Sequence, residues 1–340
     1  MPEVSSSRWD VKRVRCKDAR GDERVVQGIS IMKWMDKKIG LALGGGGARG
    51  LAHIGVLKVL EEAHIPFDMI VGTSAGALVG GAYAAGLSLE ELVERVDSYL
   101  HSPEFQSSVI KAIENARANE NSGWTQKIQS FFVNRFHLAQ AMFRPGILAI
   151  TDFQSMIDHF IPDVRIEDTT IPFHAVATDL VSGNRVTLSS GSLRHAVMAS
   201  CAVPGAIEPL KEGDMYLSDG GIICLVPSSV ARQEGADIVI SVAVDQDICT
   251  AEEFRTCRQV CDRATAIMAH QLENYELADA DIVIRPDVGD LCWTDFSHYS
   301  DIITAGERAA REKIKDIKDV MPVFKKWFTL KQLTRPQNGQ

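Results

Sequence analysis

Residues 69–76 read Met69-Ile70-Val71-Gly72-Thr73-Ser74-Ala75-Gly76. The apolar start predicts a short buried strand, and the small residues of Ala75–Ala85 predict a helix packed tightly against its neighbours. Between them stands Gly-x-Ser-x-Gly. A strand turning sharply into a helix at a serine is the setting in which that pattern works as a nucleophile elbow. Gly72 and Gly76 permit the turn, and the turn projects the Oγ of Ser74 away from the backbone. The helix start behind it favours negative charge developing nearby.

The same stretch has a second reading. Met69 to Leu89 runs 21 residues without a charge, with Gly72, Gly76 and Gly80 spaced as in a transmembrane packing motif. Five of those residues are glycine and the polar pair Thr73-Ser74 lies inside, which argues against a span. A buried strand followed by a buried helix accounts for the run.

Upstream, Ile39–Leu43 is a short apolar strand, and Leu51–Ala63 reads as a helix. Between them lies Gly44-Gly45-Gly46-Gly47-Ala48-Arg49-Gly50. Glycines there let backbone N–H groups approach a ligand, at a helix start whose donors lack partners. Such a loop binds a phosphate or holds an oxyanion. It also satisfies the dinucleotide pattern Gly45-x-Gly47-x-x-Gly50, which asks for an acid at the end of the second strand. Asp68 precedes that strand instead, so the dinucleotide reading stands second.

Downstream, strands and helices keep alternating. Ser88-Leu-Glu-Glu91 is a capping box opening a helix to Leu100, and Thr151-Asp-Phe-Gln154 a second one opening a helix to Phe160. Residues 101–145 are more polar and lack strand signals; they read as helices and loops over the core, a candidate lid. Phe173–Asp179 and Arg185–Leu188 flank Ser182-Gly-Asn184, a hairpin signal. Leu193–Ser200 is a short helix, Met215–Ser218 and Ile238–Val244 are strands, Glu252–Leu277 is a long helix, Ile282–Ile284 a strand and Ile302–Val320 a closing helix. This alternation predicts an α/β fold with a mostly parallel sheet covered on both faces.

A serine nucleophile needs a base. No downstream histidine sits in an obvious loop motif, whereas Ser218-Asp219-Gly220-Gly221 follows directly on a strand. An aspartate there, followed by two glycines, faces a site with little obstruction. Alone it would be an ordinary turn aspartate; with the other two motifs it becomes the favoured base. His53, on the first helix, is either a third member of the machinery or a satisfied helix histidine. Arg49 either orients the loop, meets a lipid phosphate or forms a structural salt bridge.

Taken together and in this order, the three motifs resemble those of the patatin-like phospholipases, over about Ile39 to Ala310. Gly45-Gly46-Gly47-x-Arg49-Gly50 is similar to that family's oxyanion loop, Gly72-x-Ser74-x-Gly76 to its elbow, and Asp219-Gly220-Gly221 to its Asp-Gly-Gly/Ala motif. Ala199-Ser200-x-Ala202-x-Pro204 and Asp295-Phe296 resemble the bacterial branch related to neuropathy target esterases. The resemblance implies a patatin-like three-layer fold with helices flanking a central sheet. It also implies a Ser74–Asp219 dyad without histidine, an oxyanion hole from the N–H groups of Gly45, Gly46 and Gly47, and hydrolysis of phospholipid or lysophospholipid acyl esters. That chemistry requires no cofactor, and no metal-binding cluster is visible. Two alternatives stand beside it: an acyltransferase using the same acyl-enzyme, and a non-catalytic lipid- or nucleotide-binding regulator.

The chain has 340 residues, 45% of them apolar and 24% charged, and a formal net charge of −9. That composition excludes wholesale disorder, collagen and coiled coil, and the acidic balance disfavours nucleic-acid binding. The charge is uneven. Residues 1–38 hold ten Lys/Arg and six Asp/Glu, residues 322–340 four Lys/Arg and no acid, and the body between them a net −17. The reading divides the chain into an extension at 1–38 with one short hairpin (Val11–Cys16, Val25–Ile31), a catalytic domain at 39–321 and a basic tail at 322–340. The tail's Val323–Leu330 combines lysines with Phe324, Trp327 and Phe328, a composition suited to an anionic membrane surface or to a packed closing segment.

Seven cysteines at irregular spacing, without a Cys-x-x-Cys pair, fit a reducing compartment better than a disulfide framework. Cys257 and Cys261 are expected as small buried residues of one helix face. No apolar stretch in the first 30 residues reads as a signal peptide. A cytoplasmic protein, touching membrane at most peripherally, is the expectation.

Overall fold

A computed structural model of the chain describes residues 13–17, 23–27, 37–108, 111, 146–148, 150–244, 254, 256–289, 291 and 294–322. The chain divides into two compact units, Met1–Lys37 with Met321–Gln340, and Lys38–Val320. Of the first, strands β1 (Arg13–Lys17) and β2 (Glu23–Gln27) form an antiparallel hairpin that pairs Arg13 with Gln27. The expected hairpin is there; residues 11–12 and 28–31 of its expected strands lie outside the described residues. The lid expected at 101–145 lies outside the described residues except for 101–108 and 111, and the tail falls outside them from 323 onward.

The second unit is built on one sheet. β3 (Ile39–Leu43) and β4 (Met69–Thr73) pair in parallel, and β6 (Phe173–Asp179) continues the parallel run beyond β4. On the other side of β3, β11 (Ile238–Val242) and then β12 (Ile282–Ile284) are also parallel. Antiparallel strands finish the β6 side: β7 (Arg185–Leu188) and β10 (Met215–Asp219) both pair with β6, and β9 (Leu210–Glu212) pairs with β10. A separate parallel pair joins β5 (Gly146–Leu148) to β8 (Gly205–Ile207). Strand order reverses at β3, whose sequence neighbour β4 lies on one side and the late strand β11 on the other. In open α/β sheets, ligand sites form outside the carboxyl ends of strands at such a reversal.

The strands are apolar at consecutive positions because both faces are covered, and all five residues of β3, β4 and β11 are buried. Side chains alternate between the faces. Ala42, Met69, Val71, Val176 and Val239 form one cluster with Val230 and Ala231 of a short helix, Ser228–Gln233. On the opposite face, Leu43, Ile70 and Phe173 meet the helix Ala75–Ala84 at Gly80, where an added Cβ would lie 2.9 Å from Ile70 and 3.0 Å from Leu43. The uncharged run from Met69 is thus a strand and a helix inside the fold. Among the described residues, no helix is long and apolar enough to cross a membrane.

Helix α1 (Ala52–Glu62) follows a 3-10 turn, Gly47–Leu51, and α2 is Ala75–Ala84. α3 (Leu89–Leu100) begins with the expected capping box, Ser88 with Glu91. α4 is the short Pro103–Gln106. α5 (Ile150–Phe160) starts one residue before Thr151, which is therefore inside the helix and does not cap it. α6 is Leu193–Ser200 and α7 Ser228–Gln233. α8 (Cys257–Leu277) starts later than the sequence pattern suggests, because Thr256 and Gln259 form a capping box there. α9 (Tyr299–Val320) closes the unit and crosses α1 so closely that a Cβ on Gly306 would stand 2.0 Å from the Ala52 carbonyl.

The cysteines divide against expectation. Cys201 and Cys224 are buried, but Cys257 and Cys261 are exposed. Their side of α8 also exposes Val260, Ile267, Met268 and Tyr275. The helix places its acidic Glu273 and Glu276 inward instead, which a hydrophobic-face reading of the sequence inverts.

Candidate active site

β4 delivers Ser74 to the carboxyl end of the sheet in a backbone conformation with φ 52° and ψ −122°. That region costs a non-glycine residue about 1–3 kcal/mol, so the surrounding structure must impose it. It does so through specific bonds. The Ser74 N–H donates to Ser200 Oγ at 2.9 Å, and that hydroxyl donates onward to the Val176 carbonyl at 2.6 Å. The Ser74 carbonyl accepts from the N–H groups of Ala77 and Leu78 and from the Cys201 thiol. A serine at a helix start ordinarily spends its hydroxyl capping the first turn. Ser74 is the N-cap of α2 but makes no such bond. Its side chain instead lies near enough to Asp219 to favour the ionised form of that carboxyl.

Asp219 ends β10 and is 5% exposed. Its Oδ1 accepts the Gly221 N–H at 2.7 Å, the turn bond expected of an aspartate before glycine. Burial raises the carboxyl from 3.8 to about 6, against the opposing effect of the hydrogen bonds from Ser74 and Gly221. The Asp219 N–H and the Ser218 hydroxyl both reach the Ala202 carbonyl, at 2.9 and 2.7 Å. The segment 200–202 therefore fastens the serine turn and the aspartate strand together.

Gly44-Gly45-Gly46-Gly47 leaves β3 beside them. Gly46 is the N-cap and Gly47 the first residue of the 3-10 turn, positions whose N–H groups precede any intrahelical partner. Gly45 differs from expectation. Its N–H donates to the Leu225 carbonyl at 2.9 Å, so it is spent on holding the loop against the segment after Asp219. His53 is fully buried and its Nε2 donates to the Gly44 carbonyl at 2.8 Å. Burial lowers its pKa to about 4, so it is neutral and fixes the loop from behind. Among the described residues, no histidine hydrogen-bonds Ser74 or Asp219. Arg49 is half-buried on the 3-10 turn.

The flanking glycines mark places where backbones nearly touch. A Cβ on Gly76 would lie 2.1 Å from the Leu43 carbonyl oxygen, one on Gly220 2.3 Å from that of Val176, one on Gly72 2.5 Å from Ala77 Cα, and one on Gly50 2.3 Å from Ala75 Cβ. Gly221 is looser, with its nearest contact at 3.0 Å. Gly76→Ala should destabilise the protein by about 3 kcal/mol or more, beyond what its better helix propensity returns. Denaturant unfolding measures this, and a stability within 1 kcal/mol of the parent (roughly one overpacking increment) would mean the two strand ends are not clamped at this site.

Sequence reasoning did not assign Ser200, Thr73 and Thr178 their parts. Thr73 Oγ1 donates to the Cys224 carbonyl and Thr178 Oγ1 to that of Asp219, both at 2.9 Å. Ser200 lay in one motif and Thr73 at a variable position of another, and neither spacing revealed these bonds.

A serine on a strained strand-to-helix turn, a buried carboxylate beside it and a glycine loop opening the neighbouring 3-10 turn make up the candidate site of an α/β protein. Residues 41–230 match the model for "Patatin-like phospholipase", and the chain belongs to that family. An uncharacterised NTE family protein of Mycobacterium tuberculosis is 33% identical over 208 residues, 61% of this chain and 49% of that protein. Human patatin-like phospholipase domain-containing protein 6 is 34% identical over 209 residues, 61% of this chain and 13% of that protein. The match thus spans about half of the mycobacterial relative. Among solved structures, VipD from Legionella pneumophila aligns over 92% of this chain and 72% of its own at 15% identity and a TM-score of 0.46, a likeness too low to carry the fold by itself.

Proposed function

We propose that this chain hydrolyses acyl esters of lipids, phospholipid or lysophospholipid, through Ser74 and Asp219. The observation that carries the reading is a strained serine and a buried carboxylate, raised by burial to about 6, fastened side by side by the segment 200–202. Asp219 takes the proton as Ser74 Oγ attacks the ester carbonyl. The N–H groups of Gly46 and Gly47 receive the oxyanion, while Gly45 keeps its bond to Leu225. One such donor is worth on the order of 3 kcal/mol in other hydrolases. The proton passes from Asp219 to the departing alcohol as the tetrahedral centre collapses to an acyl-Ser74. Asp219 then deprotonates a water that attacks the acyl carbon, and the proton returns to Ser74 as the fatty acid leaves.

Family membership supports a lipid substrate. Incubating the protein with a phospholipid and lysophospholipid panel, with Ser74→Ala as control, tests it. Fatty acid release by the parent alone is expected, and no release from any lipid overturns the reading. Labelling of Ser74 by a fluorophosphonate probe excludes a purely binding role, since a regulator without a working nucleophile does not react. Adding an alcohol acceptor distinguishes transfer from hydrolysis by the product formed. The basic ends at 1–38 and 322–340 would orient the acidic body on anionic lipid; truncation after residue 321 should reduce flotation with anionic liposomes, and undiminished binding removes that role from the tail.

A further inference from the structure

Glu276 lies beyond the family match, in the last turn of α8, where no sequence motif marks it. It is 4% exposed. A buried acid needs partners, and those of Glu276 are consecutive groups of one segment. Its Oε2 accepts the Val226 N–H at 2.9 Å, and the neighbouring Leu225 N–H and Cys224 thiol lie close enough to favour its ionised form. Cys224–Val226 lies two residues beyond the Asp219-Gly220-Gly221 turn and is tied in two further directions. The Leu225 carbonyl accepts the Gly45 N–H, and the Cys224 carbonyl accepts the Thr73 hydroxyl, both at 2.9 Å. One carboxylate therefore anchors a strap that grips the glycine loop on one side and the residue before Ser74 on the other.

We infer that Glu276 is a positioning residue of the ester-hydrolysis site, fixing the glycine loop relative to Ser74 through the Cys224–Val226 strap. This rests on the hydrolase reading above. A charge-assisted bond from a backbone N–H to a carboxylate is stronger and shorter than a neutral one. Removing the acceptor leaves the buried Val226 N–H unsatisfied, so the strap must move to satisfy it. Gly45 moves with it, and Gly46 and Gly47 follow directly in the chain. Besides these N–H groups and the Cys224 thiol, Glu276 feels the Arg185 guanidinium from β7, itself bonded to Ser229 and Gln233. Glu273, one helical turn earlier, is paired with Arg285 at 3.1 Å. Burial outweighs the bonds and the Arg185 charge and pushes the Glu276 carboxyl up to about 7. The ionised form accepts the N–H groups best, so the strap is held most tightly above that pH.

The test uses the full chain and a soluble short-chain p-nitrophenyl ester. Glu276→Ala removes the acceptor; Glu276→Gln keeps an oxygen acceptor without the charge. The alanine variant should lose about 10- to 100-fold in kcat with KM within about twofold, as expected when a catalytic group is misplaced by about 1 Å. The glutamine variant should retain more, and should lack the rise in kcat through pH 7 that the parent shows. Amide exchange across 44–50 and 224–226 should speed up about tenfold or more in the alanine variant, with the rest of the sheet unchanged. Exchange needs no activity, so it separates the two claims. A parent as inert as Ser74→Ala sinks the hydrolase reading, while exchange still reports on the strap. An active parent with an alanine variant unchanged in kcat and in exchange overturns the positioning role. So does a glutamine variant whose pH profile overlays the parent's, whatever the alanine variant does.

Discussion

Replacing Ser74 should abolish ester hydrolysis and, for one replacement, strengthen the fold. Ser74→Ala and Ser74→Gly both remove the nucleophile, and each should lose on the order of a thousand-fold or more in kcat, as loss of a catalytic serine does elsewhere. They differ in what they do to the backbone. Ser74 is held at φ 52° and ψ −122°, a conformation open to glycine and strained for any residue with a Cβ. Alanine keeps that strain and glycine releases it. Against the release stands the greater freedom of glycine in the unfolded chain, about 0.5–1 kcal/mol. The glycine variant should therefore be more stable than the alanine variant by about 1 kcal/mol, the strain of about 1–3 less the entropy term. Comparing the two cancels the loss of the hydroxyl, which both lack. A folded Ser74→Ala protein with the parent's rate removes Ser74 from the chemistry. A glycine variant less stable than the alanine one shows that the turn is not strained in solution.

That strain explains why the elbow was readable from sequence while its fastening was not. Gly72-x-Ser74-x-Gly76 carries its geometry in the residue types, because only glycine tolerates backbone atoms within about 2–3 Å of a would-be Cβ at both flanks. The parallel sheet was equally legible, since strands buried on both faces must be apolar at every position. The bonds that impose the turn are different in kind. Ser200 reaches Ser74 across 126 positions and Glu276 reaches Val226 across 50, and no local pattern encodes such pairings. The glycine loop misled in a smaller way: three glycines in a row suggest three equivalent donors, but the Gly45 N–H is committed to the Leu225 carbonyl. α8 misled more, because Glu273 and Glu276 face inward and Cys257 and Cys261 outward. Composition along a helix tells which face is apolar, but not which face the rest of the chain covers.

Asp219→Asn should silence the enzyme and stabilise it, in a pH window that the carboxyl itself defines. Activity requires the ionised base, so kcat/KM should fall as pH drops through about 6, where burial has moved the group. The asparagine variant has no basic form and should be inactive at every pH. Stability runs the other way. The folded carboxyl holds its proton more tightly than the unfolded one, whose ordinary value is 3.8. The folded state therefore binds more protons between the two values, and stability is fully present below about 4 and is lost as pH rises through about 6. A shift of about two units corresponds to on the order of 3 kcal/mol. The asparagine side chain retains an oxygen for the Gly221 N–H and offers its amide to Ser74, without a charge to bury. The variant should match the parent below about pH 4 and exceed it by up to that amount above pH 6. Glu276 is present in both proteins, so its own titration drops out of the difference. Unfolding curves across pH 4–8 measure the window. A constant stability difference over that range would mean that the Asp219 carboxyl ionises in the fold as easily as in water. Parental activity in the asparagine variant would place the base elsewhere. Loss of activity with a pH-dependent gain in stability is the signature of a carboxylate kept in a dry site because the chemistry needs it there.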